Sequence, residues 1–246
     1  MKAIITFHSI DDERAILSYS QALFERLLDG LDRSGTPVLP LDALLDPATK
    51  RGVALTFDDG MRSVHRCALP IFRGRGLAAH MFLVAGAVEG GFADLRRPKG
   101  APEYDLMNWD EAGELQEAGF RIDAHTYSHP DLRQLPDDAV NEEFARADAL
   151  IEARLGQAPQ HFAYPFGFYD ERIERLAGAR YRTSVTTRLA YVGAGDRLSA
   201  LPRLDSYYLR DERRIGDVFS ATTRSYIHAR GALRWLRGKI WNANHA

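Results

Sequence analysis

The sequence predicts an α/β fold in which parallel strands close into a barrel, and three features indicate it. Short apolar runs alternate with amphipathic helical patterns, the arrangement of a parallel sheet with crossover helices. Several of these runs end abruptly in polar residues, as expected where a barrel carries its site at the carboxyl ends of its strands. The length of 246 residues is sufficient for one such barrel.

Six short apolar runs, each bounded by turn or polar residues, are predicted as buried strands. They are Lys2–Phe7, Val53–Phe57, Ala78–Val84, Phe120–Ile122, Phe162–Tyr164 and Tyr181–Val185. Between them, apolar spacing predicts helices over Ser20–Leu31, Trp109–Ala118 and Asp137–Leu155. Gly119 and Gly156 follow the last two patterns directly, as glycines typically do at helix ends. We expect these elements to form one barrel domain over residues 1–222.

The C-terminal tail, residues 223–246, is predicted as a basic amphipathic helix. Its apolar residues on one helical face are Tyr226, Ala229, Leu233, Leu236 and Ile240. Its basic residues are Arg224, Arg230, Arg234, Arg237 and Lys239. Two interpretations stay open: a terminal helix packed on its own domain, or an interfacial helix that contacts a membrane or a partner.

Composition narrows the class of protein. The apolar fraction of 45% and the charged fraction of 27% are ordinary for a soluble globular domain. The net charge of −2 gives no overall basic footprint, so we expect no nucleic-acid partner. Cys67 is the single cysteine, which excludes an intrachain disulfide. Because the N-terminus does not resemble a signal peptide, we expect a cytoplasmic protein.

The run that ends in two carboxylates reads TFDDG, residues 56–60. Neighbouring side chains on a strand point in opposite directions, so one carboxylate can ligate a metal while the other stays free as a base. Two carboxylates this close are costly to keep charged unless a cation lies nearby. The alternative is a simple turn, because Asp-Gly is a common turn dipeptide.

Two histidines four residues apart lie in HTYSHP, residues 125–130. Two neutral imidazoles and one carboxylate bind a divalent ion and leave positions open for water and substrate. Pro130 favours a loop over a continuing helix. The alternative is a pair of surface or capping histidines.

A third segment, FAYPFG at residues 162–167, is an aromatic strand that ends in proline and glycine. It is either core followed by a turn, or a wall that presents an aromatic face and a backbone N–H to a ligand.

In this order along the chain, TFDDG, HTYSHPDL and FAYPFG resemble the polysaccharide deacetylase family, carbohydrate esterase family 4. The resemblance runs from Val53 to about Asp205, and the third segment resembles that of a subgroup with FAYPFG or FAYPYG. It implies a distorted (β/α)7 barrel and a metal-dependent hydrolase that removes an N-acyl group, usually acetyl, from an amino sugar. The implied substrate is a polysaccharide, an oligosaccharide or a lipid-linked sugar.

The resemblance also implies roles for individual residues. Asp58 is expected to be the general base, and Asp59, His125 and His129 are expected to hold a divalent ion, usually Zn²⁺. The expected substrate contacts are Phe166, whose backbone N–H also faces the oxyanion, Tyr164 and Trp109.

Three positions depart from the family pattern. An arginine often precedes the prolines of the third segment and orients the base; Ala163 stands near that place, so we expect Arg203 to supply the cation, unless it is a surface arginine. Many members carry the general acid on a late histidine, for which His228 is a poor match, so His8 after the first predicted strand is the expected acid. Asp123 is expected either to support a ligand imidazole or to narrow the substrate cleft.

Two other functions stay open. One is a related amidase that acts on a small non-sugar amide, which the two retained histidines argue against. The other is a non-catalytic carbohydrate-binding protein. A cytoplasmic location favours a small or lipid-linked sugar as substrate, and the basic tail would then lie on the anionic inner face of the membrane.

Overall fold

A closed barrel of parallel strands forms the body of the protein in the computed structural model, which describes residues 1–13, 15–88 and 105–243, with side chains to residue 237. The strands are β1 (Lys2–Phe7), β2 (Ser9–Ile10), β3 (Ser18–Tyr19), β4 (Gly52–Asp59), β5 (Ala79–Leu83), β6 (Phe120–Ala124), β7 (His161–Ala163), β8 (Thr183–Leu189) and β9 (Leu201–Asp205). The order around the barrel is β1-β4-β5-β6-β7-β8-β9, and β9 pairs with β1. β2 and β3 form a separate pair. The predicted (β/α)7 barrel is confirmed.

Helices connect the barrel strands. They are α1 (Gln21–Arg33), α2 (Leu41–Leu45), α3 (Leu69–Arg75), α4 (Ala85–Val88), α5 (Trp109–Glu117), α6 (Asp137–Leu155), α7 (Glu171–Arg180), α8 (Glu212–Ile215) and α9 (Ala221–Ala243). Local signals explain several boundaries. Ser20 accepts the N–H of Leu23 at the start of α1, Asn108 and Glu111 form a reciprocal capping box on α5, and Gly156 ends α6 at φ 72°.

Strand β9 is the barrel strand that the apolar pattern did not predict. It contains Pro202, which has no N–H to donate and therefore argues against a strand paired on both sides. The pairing is sparse where the proline lies: β9 pairs with β1 at Leu204 and Asp205, and with β8 at Leu201 and Arg203. Pro202 thus occupies a position at which the barrel does not need its N–H.

The barrel interior is layered. Alternate residues of the strands face inward, and an apolar layer fills the middle. Its fully buried members are Ile4, Ala54, Phe82, Ala163, Val185 and Leu201. Leu41 and Leu44 of α2 pack against this layer. The inward positions nearer the carboxyl ends of the strands carry polar side chains, including Asp58, His125 and Arg203, which are also buried.

The barrel is most sparsely paired between β6 and β7, where the strands share a single paired position, Ala124 with Phe162. Side chains of β6 replace the missing ladder bonds. One Asp123 oxygen accepts the N–H groups of Gln160 and His161, each at 3.0 Å. The sparse pairing leaves the carbonyl oxygen of Ala163 in β7 available to the side chain of His125, which directly follows β6.

Helix α9 packs on the domain mainly through residues outside its predicted apolar face, together with Tyr226 from that face. Thr223 and Ile227 are fully buried, and a side chain at Gly231 would lie 2.5 Å from the carbonyl oxygen of Leu189. Leu233 and Leu236, from the predicted apolar face, remain 47% and 48% exposed. Helix α9 therefore packs on its own domain, while Leu233 and Leu236 of the predicted apolar face stay exposed. The side chains of Lys239 and Ile240 lie outside the described residues.

Within the described ranges, no helix combines the length and hydropathy that a bilayer crossing requires.

Candidate functional site

The three sequence segments converge at the carboxyl ends of the barrel strands. Asp59 ends β4, and His125 and His129 lie in the loop after β6. The Oδ1 atom of Asp59 is 3.3 Å from Nε2 of His125 and 3.7 Å from Nε2 of His129. The ring centroids of the two histidines are 4.8 Å apart. Residues 66 and 70 positions apart in the chain thus form one cluster, here called the metal-ligand triad.

His125 is held in the tautomer that a metal ligand needs. Its Nδ1 atom lies 2.7 Å from the carbonyl oxygen of Ala163, an acceptor, so Nδ1 carries the proton and donates it. Its Nε2 lone pair therefore faces the cluster. The carbonyl is available because β6 and β7 are sparsely paired, and such a partner fixes the ring orientation of a ligand histidine.

The electrostatics of the triad favour a cation. Burial alone would raise the pKa of Asp59, but the imidazoles of His125 and the neighbouring histidines hold it well below its usual value. Burial alone would lower the pKa of His125, but the carboxylates of Asp59 and Asp58 raise it. Burial, followed by the charge of His125, lowers the pKa of His129 to about 4. The carboxylates of Asp58 and Asp59 thus favour positive charge at this position.

The donor set fits a divalent transition ion. Two imidazole nitrogens and one carboxylate oxygen are common zinc ligands, with bonds of about 2.0–2.2 Å. A tetrahedral ion with such bonds separates its ligands by about 3.4 Å, and the measured separations from Asp59 bracket that value. The other ring nitrogen of His129, Nδ1, is also buried and has no hydrogen-bond partner.

A second cluster, made by His80, Asp123 and His161, lies inside the barrel; His80 and Asp123 are fully hydrogen-bonded, whereas Nε2 of His161 is buried without a hydrogen-bond partner. Nε2 of His80 accepts the N–H of Leu41 at 2.9 Å, so Nδ1 donates to Asp123 at 2.7 Å. Both ring nitrogens of His80 and both carboxylate oxygens are therefore occupied. The two expectations for Asp123 are corrected: it supports His80 rather than a ligand imidazole, and at 0% exposure it borders no cleft.

Asp58 forms a buried two-bond pair with Arg203. Nη1 and Nη2 of Arg203 lie 2.7 and 2.6 Å from the two carboxylate oxygens, and Nε donates to the carbonyl oxygen of Thr186 at 3.0 Å. Burial alone would raise the pKa of Asp58, but Arg203 holds it below its usual value. Arg203 is only 2% exposed, so the interpretation as a surface arginine is wrong. The planar fork of arginine suits this geometry better than lysine would.

Replacement of Arg203 by Met is expected to destabilise the protein by about 3–5 kcal/mol, because it leaves the Asp58 charge buried without a partner. Chemical denaturation of both proteins measures the difference. The double variant Arg203→Met with Asp58→Leu serves as the control, and it should recover part of the loss because no unpaired charge remains. Equal unfolding free energies for wild type and Arg203→Met would contradict this account.

Backbone strain is concentrated at the site. Among the described residues, non-glycine residues with positive φ occur at four places, and all four lie in the three segments. They are Asp59 (72°), Thr126 (66°), His129 (56°) and Phe166 (58°). Each such conformation costs on the order of 1–3 kcal/mol and persists only where the surroundings enforce it. The sequence carries no signal for this strain.

Glu143 of α6 fixes the loop that carries the two histidines. Its Oε2 accepts the N–H groups of Tyr127 and Ser128 at 3.0 and 2.8 Å, and its Oε1 accepts the Ser128 hydroxyl at 2.6 Å. The Thr126 hydroxyl accepts the N–H of His129 at 2.9 Å. Sequence reasoning missed Glu143, because it resembles any other carboxylate on the polar face of α6.

His8 lies at the site and His228 does not. His8 directly follows β1 and is half-buried. Phe7 pairs with Phe57 in the strand register, so His8 and Asp58, the next residues along these neighbouring strands, lie at the same end of the barrel. His228 is exposed on α9, with its ring 6.0 Å from that of Tyr191.

The three expected substrate contacts differ in position. The half-buried ring of Phe166 packs edge-on against His129, with centroids 4.5 Å apart. Trp109 begins α5 and is half-buried against the main core. Tyr164 is a correction: it is 1% exposed, and its hydroxyl donates to the carbonyl oxygen of Ser199 at 2.8 Å. The strand ends at Ala163, so the Tyr164 ring enters the core and does not reach a substrate.

Comparisons with a family model and with curated proteins agree on one family. The model of a family described as polysaccharide deacetylase matches residues 46–183. The putative polysaccharide deacetylase YxkH of Bacillus subtilis is 24% identical over 208 residues, which cover 82% of this chain and 70% of that protein. Chitin deacetylase 2 of Cryptococcus neoformans is 26% identical over 132 residues, 53% of this chain and 25% of the fungal protein. The chain thus spans about a quarter of that relative.

Solved structures show the same fold. The Streptococcus pyogenes deacetylase PplD, in complex with acetate, superposes with a TM-score of 0.72 at 24% identity, covering 82% of this chain and 91% of that one. IcaB from Ammonifex degensii superposes with a TM-score of 0.70 at 22% identity, covering 87% and 97%.

Proposed function

The chain belongs to the polysaccharide deacetylase family, and from this premise we propose that it is a metal-dependent hydrolase that removes an N-acetyl group from an amino sugar. The observation that carries the proposal is the metal-ligand triad with an ionised, unligated Asp58 beside it. The triad supplies three ligands, which is the number that catalytic zinc sites use while keeping a position open. Zn²⁺ is the proposed ion because this donor set suits it.

We assign each chemical step to a residue of the site. When bound, the ion supplies the positive charge that polarises the acyl carbonyl and acidifies water. Asp58, kept ionised by Arg203, accepts a proton as water attacks the acyl carbon. The backbone N–H of Phe166 donates to the oxyanion, and one such donor contributes about 3–4 kcal/mol. His8 donates a proton to the sugar nitrogen as the carbon–nitrogen bond breaks. The products are acetate and a free amino sugar.

Metal removal combined with a substrate panel tests the proposal. The panel contains N-acetylated chitooligosaccharides, N-acetyl monosaccharides and a small non-sugar amide, with acetate release as the readout. We expect release from the sugars, its loss after chelation, and its return with Zn²⁺. Preference for the small amide would favour the amidase alternative. Sugar binding with no acetate release in the zinc-loaded protein would favour the non-catalytic one.

His8→Gln is expected to keep its metal and lower kcat by about 10²–10⁴-fold, because the amine would leave without a proton donor. Acetate release and metal content are measured together. His228→Gln is the matched control, an exposed histidine on α9, and its turnover should stay near that of the wild type. Loss of turnover in His228→Gln, with normal turnover in His8→Gln, would reverse the assignment of the acid.

The second part of the proposal concerns α9, which we expect to contact an anionic membrane surface, such as the inner leaflet. Between residues 221 and 243 the sequence contains five basic residues and no acidic one, although the chain as a whole has a net charge of −2. Leu233 and Leu236 are about half exposed on the side away from the barrel. Exposed apolar residues with arginines beside them are typical of helices that lie in a membrane interface.

Leu233→Glu with Leu236→Glu is expected to abolish sedimentation of the protein with vesicles that contain phosphatidylglycerol. The change places negative charge on the apolar face without touching Ile227 or Gly231, which hold α9 on the barrel. Leu198→Glu is the control, since Leu198 is 53% exposed and precedes β9 at the other end of the strands. Vesicles of phosphatidylcholine alone should bind less of the wild type. Unchanged sedimentation of the double variant would remove membrane contact from the proposal.

A further inference from the structure

A series of three rings leads from the metal-ligand triad to an exposed phenylalanine. The ring of Phe166 lies 4.5 Å from that of His129, and the ring of Phe168 lies 5.7 Å from that of Phe166, all measured between centroids. Phe168 is 44% exposed, although it directly follows the third segment. The three rings form a continuous series from a metal ligand to solvent.

Phe168 is held in place from one side by Arg133. The guanidinium carbon of Arg133 lies 4.2 Å from the Phe168 ring centroid, a cation–π contact. Asp131 holds this guanidinium with two bonds, Nε to Oδ1 at 2.9 Å and Nη2 to Oδ2 at 2.8 Å. The Nη1 atom takes no part in that fork. Arg172 donates to the main-chain carbonyls of Leu132 and Arg133, at 3.4 and 3.3 Å, and so ties their loop to α7.

The arrangement matches the chemistry of a sugar ring. A pyranose offers C–H groups on its faces, which pack on an aromatic ring, and hydroxyls around its edge, which accept hydrogen bonds from a guanidinium. Ligand sites commonly combine an aromatic wall with a few polar groups of fixed direction. A ring that is already braced loses little conformational freedom when a ligand stacks on it.

We propose that Phe168 and Arg133 form a second sugar subsite, which binds the residue next to the one whose acetamide lies at the triad. The inference rests on the proposed function and narrows its substrate class to chains of two or more linked amino sugars. A monosaccharide would occupy the triad alone and leave Phe168 uncovered.

The test compares acetate release from N-acetylglucosamine and from its β-1,4-linked tetramer. Phe168→Ala is expected to lower kcat/KM for the tetramer about tenfold, mainly through KM, and to leave the value for the monosaccharide unchanged. Phe168→Tyr should retain most of the tetramer activity because the stacking face remains. Arg133→Met should also lower kcat/KM for the tetramer and not for the monosaccharide, but by a smaller factor than Phe168→Ala. Leu198→Ala, which changes an exposed apolar residue remote from the series, is the control.

Equal losses on both substrates in Phe168→Ala, or no loss on either, would overturn the subsite. Binding of the tetramer to Asp58→Asn and to Asp58→Asn with Phe168→Ala, measured by calorimetry, tests the same contact without turnover. If the wild type releases no acetate from any sugar, the proposed function fails, and the two Kd values still decide the subsite. Equal Kd values would overturn it; an increase of about tenfold with Phe168→Ala would support it.

Discussion

Asp59→Asn and His129→Asn are each expected to lose the bound metal and, with it, acyl-amide hydrolysis. Each change removes one of three ligands from the triad. The remaining pair would be a two-ligand site, which holds a divalent transition ion poorly. In the proposed mechanism the ion would contribute several kcal/mol of transition-state stabilisation, so the rate should fall about 10³-fold or more. Elemental analysis of desalted protein, together with acetate release, measures both effects.

Asparagine is chosen at both positions because the backbone there is left-handed. Asp59 has φ 72° and His129 has φ 56°, and asparagine tolerates this region better than alanine does. Loss of metal can then be assigned to the ligand rather than to a displaced loop. His228→Asn, at an exposed helical position, is the control and should keep the ion. Wild-type metal content and activity in both triad variants would contradict the assignment of the ligands.

Asp58→Asn is expected to keep the ion and to lower kcat/KM by about 10²–10⁴-fold, because the amide cannot accept a proton from water. Asparagine has nearly the same shape and still accepts one hydrogen bond from Arg203. Metal content and thermal unfolding are measured beside turnover, to separate a missing base from a disturbed fold. Normal turnover would place the base elsewhere, and loss of the ion would make Asp58 a ligand.

The dependence of kcat/KM on pH tests the pairing of Asp58 with Arg203 independently. As the proposed base, Asp58 would have to be ionised to act, so we expect activity to fall on the acid side as the pH drops through its pKa. Arg203 lowers that pKa, and Arg203→Lys, which keeps a charge but not the two-bond fork, should let it rise. The acid limb of kcat/KM is therefore expected to move to higher pH. A shift to lower pH would contradict the role of Arg203.

Local patterns in the sequence predicted the class of fold well. The bounds of β1 and α6 agree with the apolar runs, because burial in a strand and along one helical face depends on residues close together in the chain. The family-specific segments also predicted which side chains would gather, and the structure brings Asp58, Asp59, His125 and His129 to one end of the barrel. Strand β9 was not predicted, because Pro202 interrupts its apolar run and argues against a central strand.

The sequence by itself therefore determined the barrel class and the residues that form the ligand cluster, since period, turn chemistry and short motifs are properties of adjacent residues. The family pattern also suggested Arg203 as the partner of Asp58, 145 positions away. Tertiary structure alone decided the support of the histidine loop by Glu143 and the face of α9 that meets the barrel. These depend on strand register and on barrel closure. Both are set by packing over the whole chain, so the residues next to Glu143 or along α9 do not encode what these will contact.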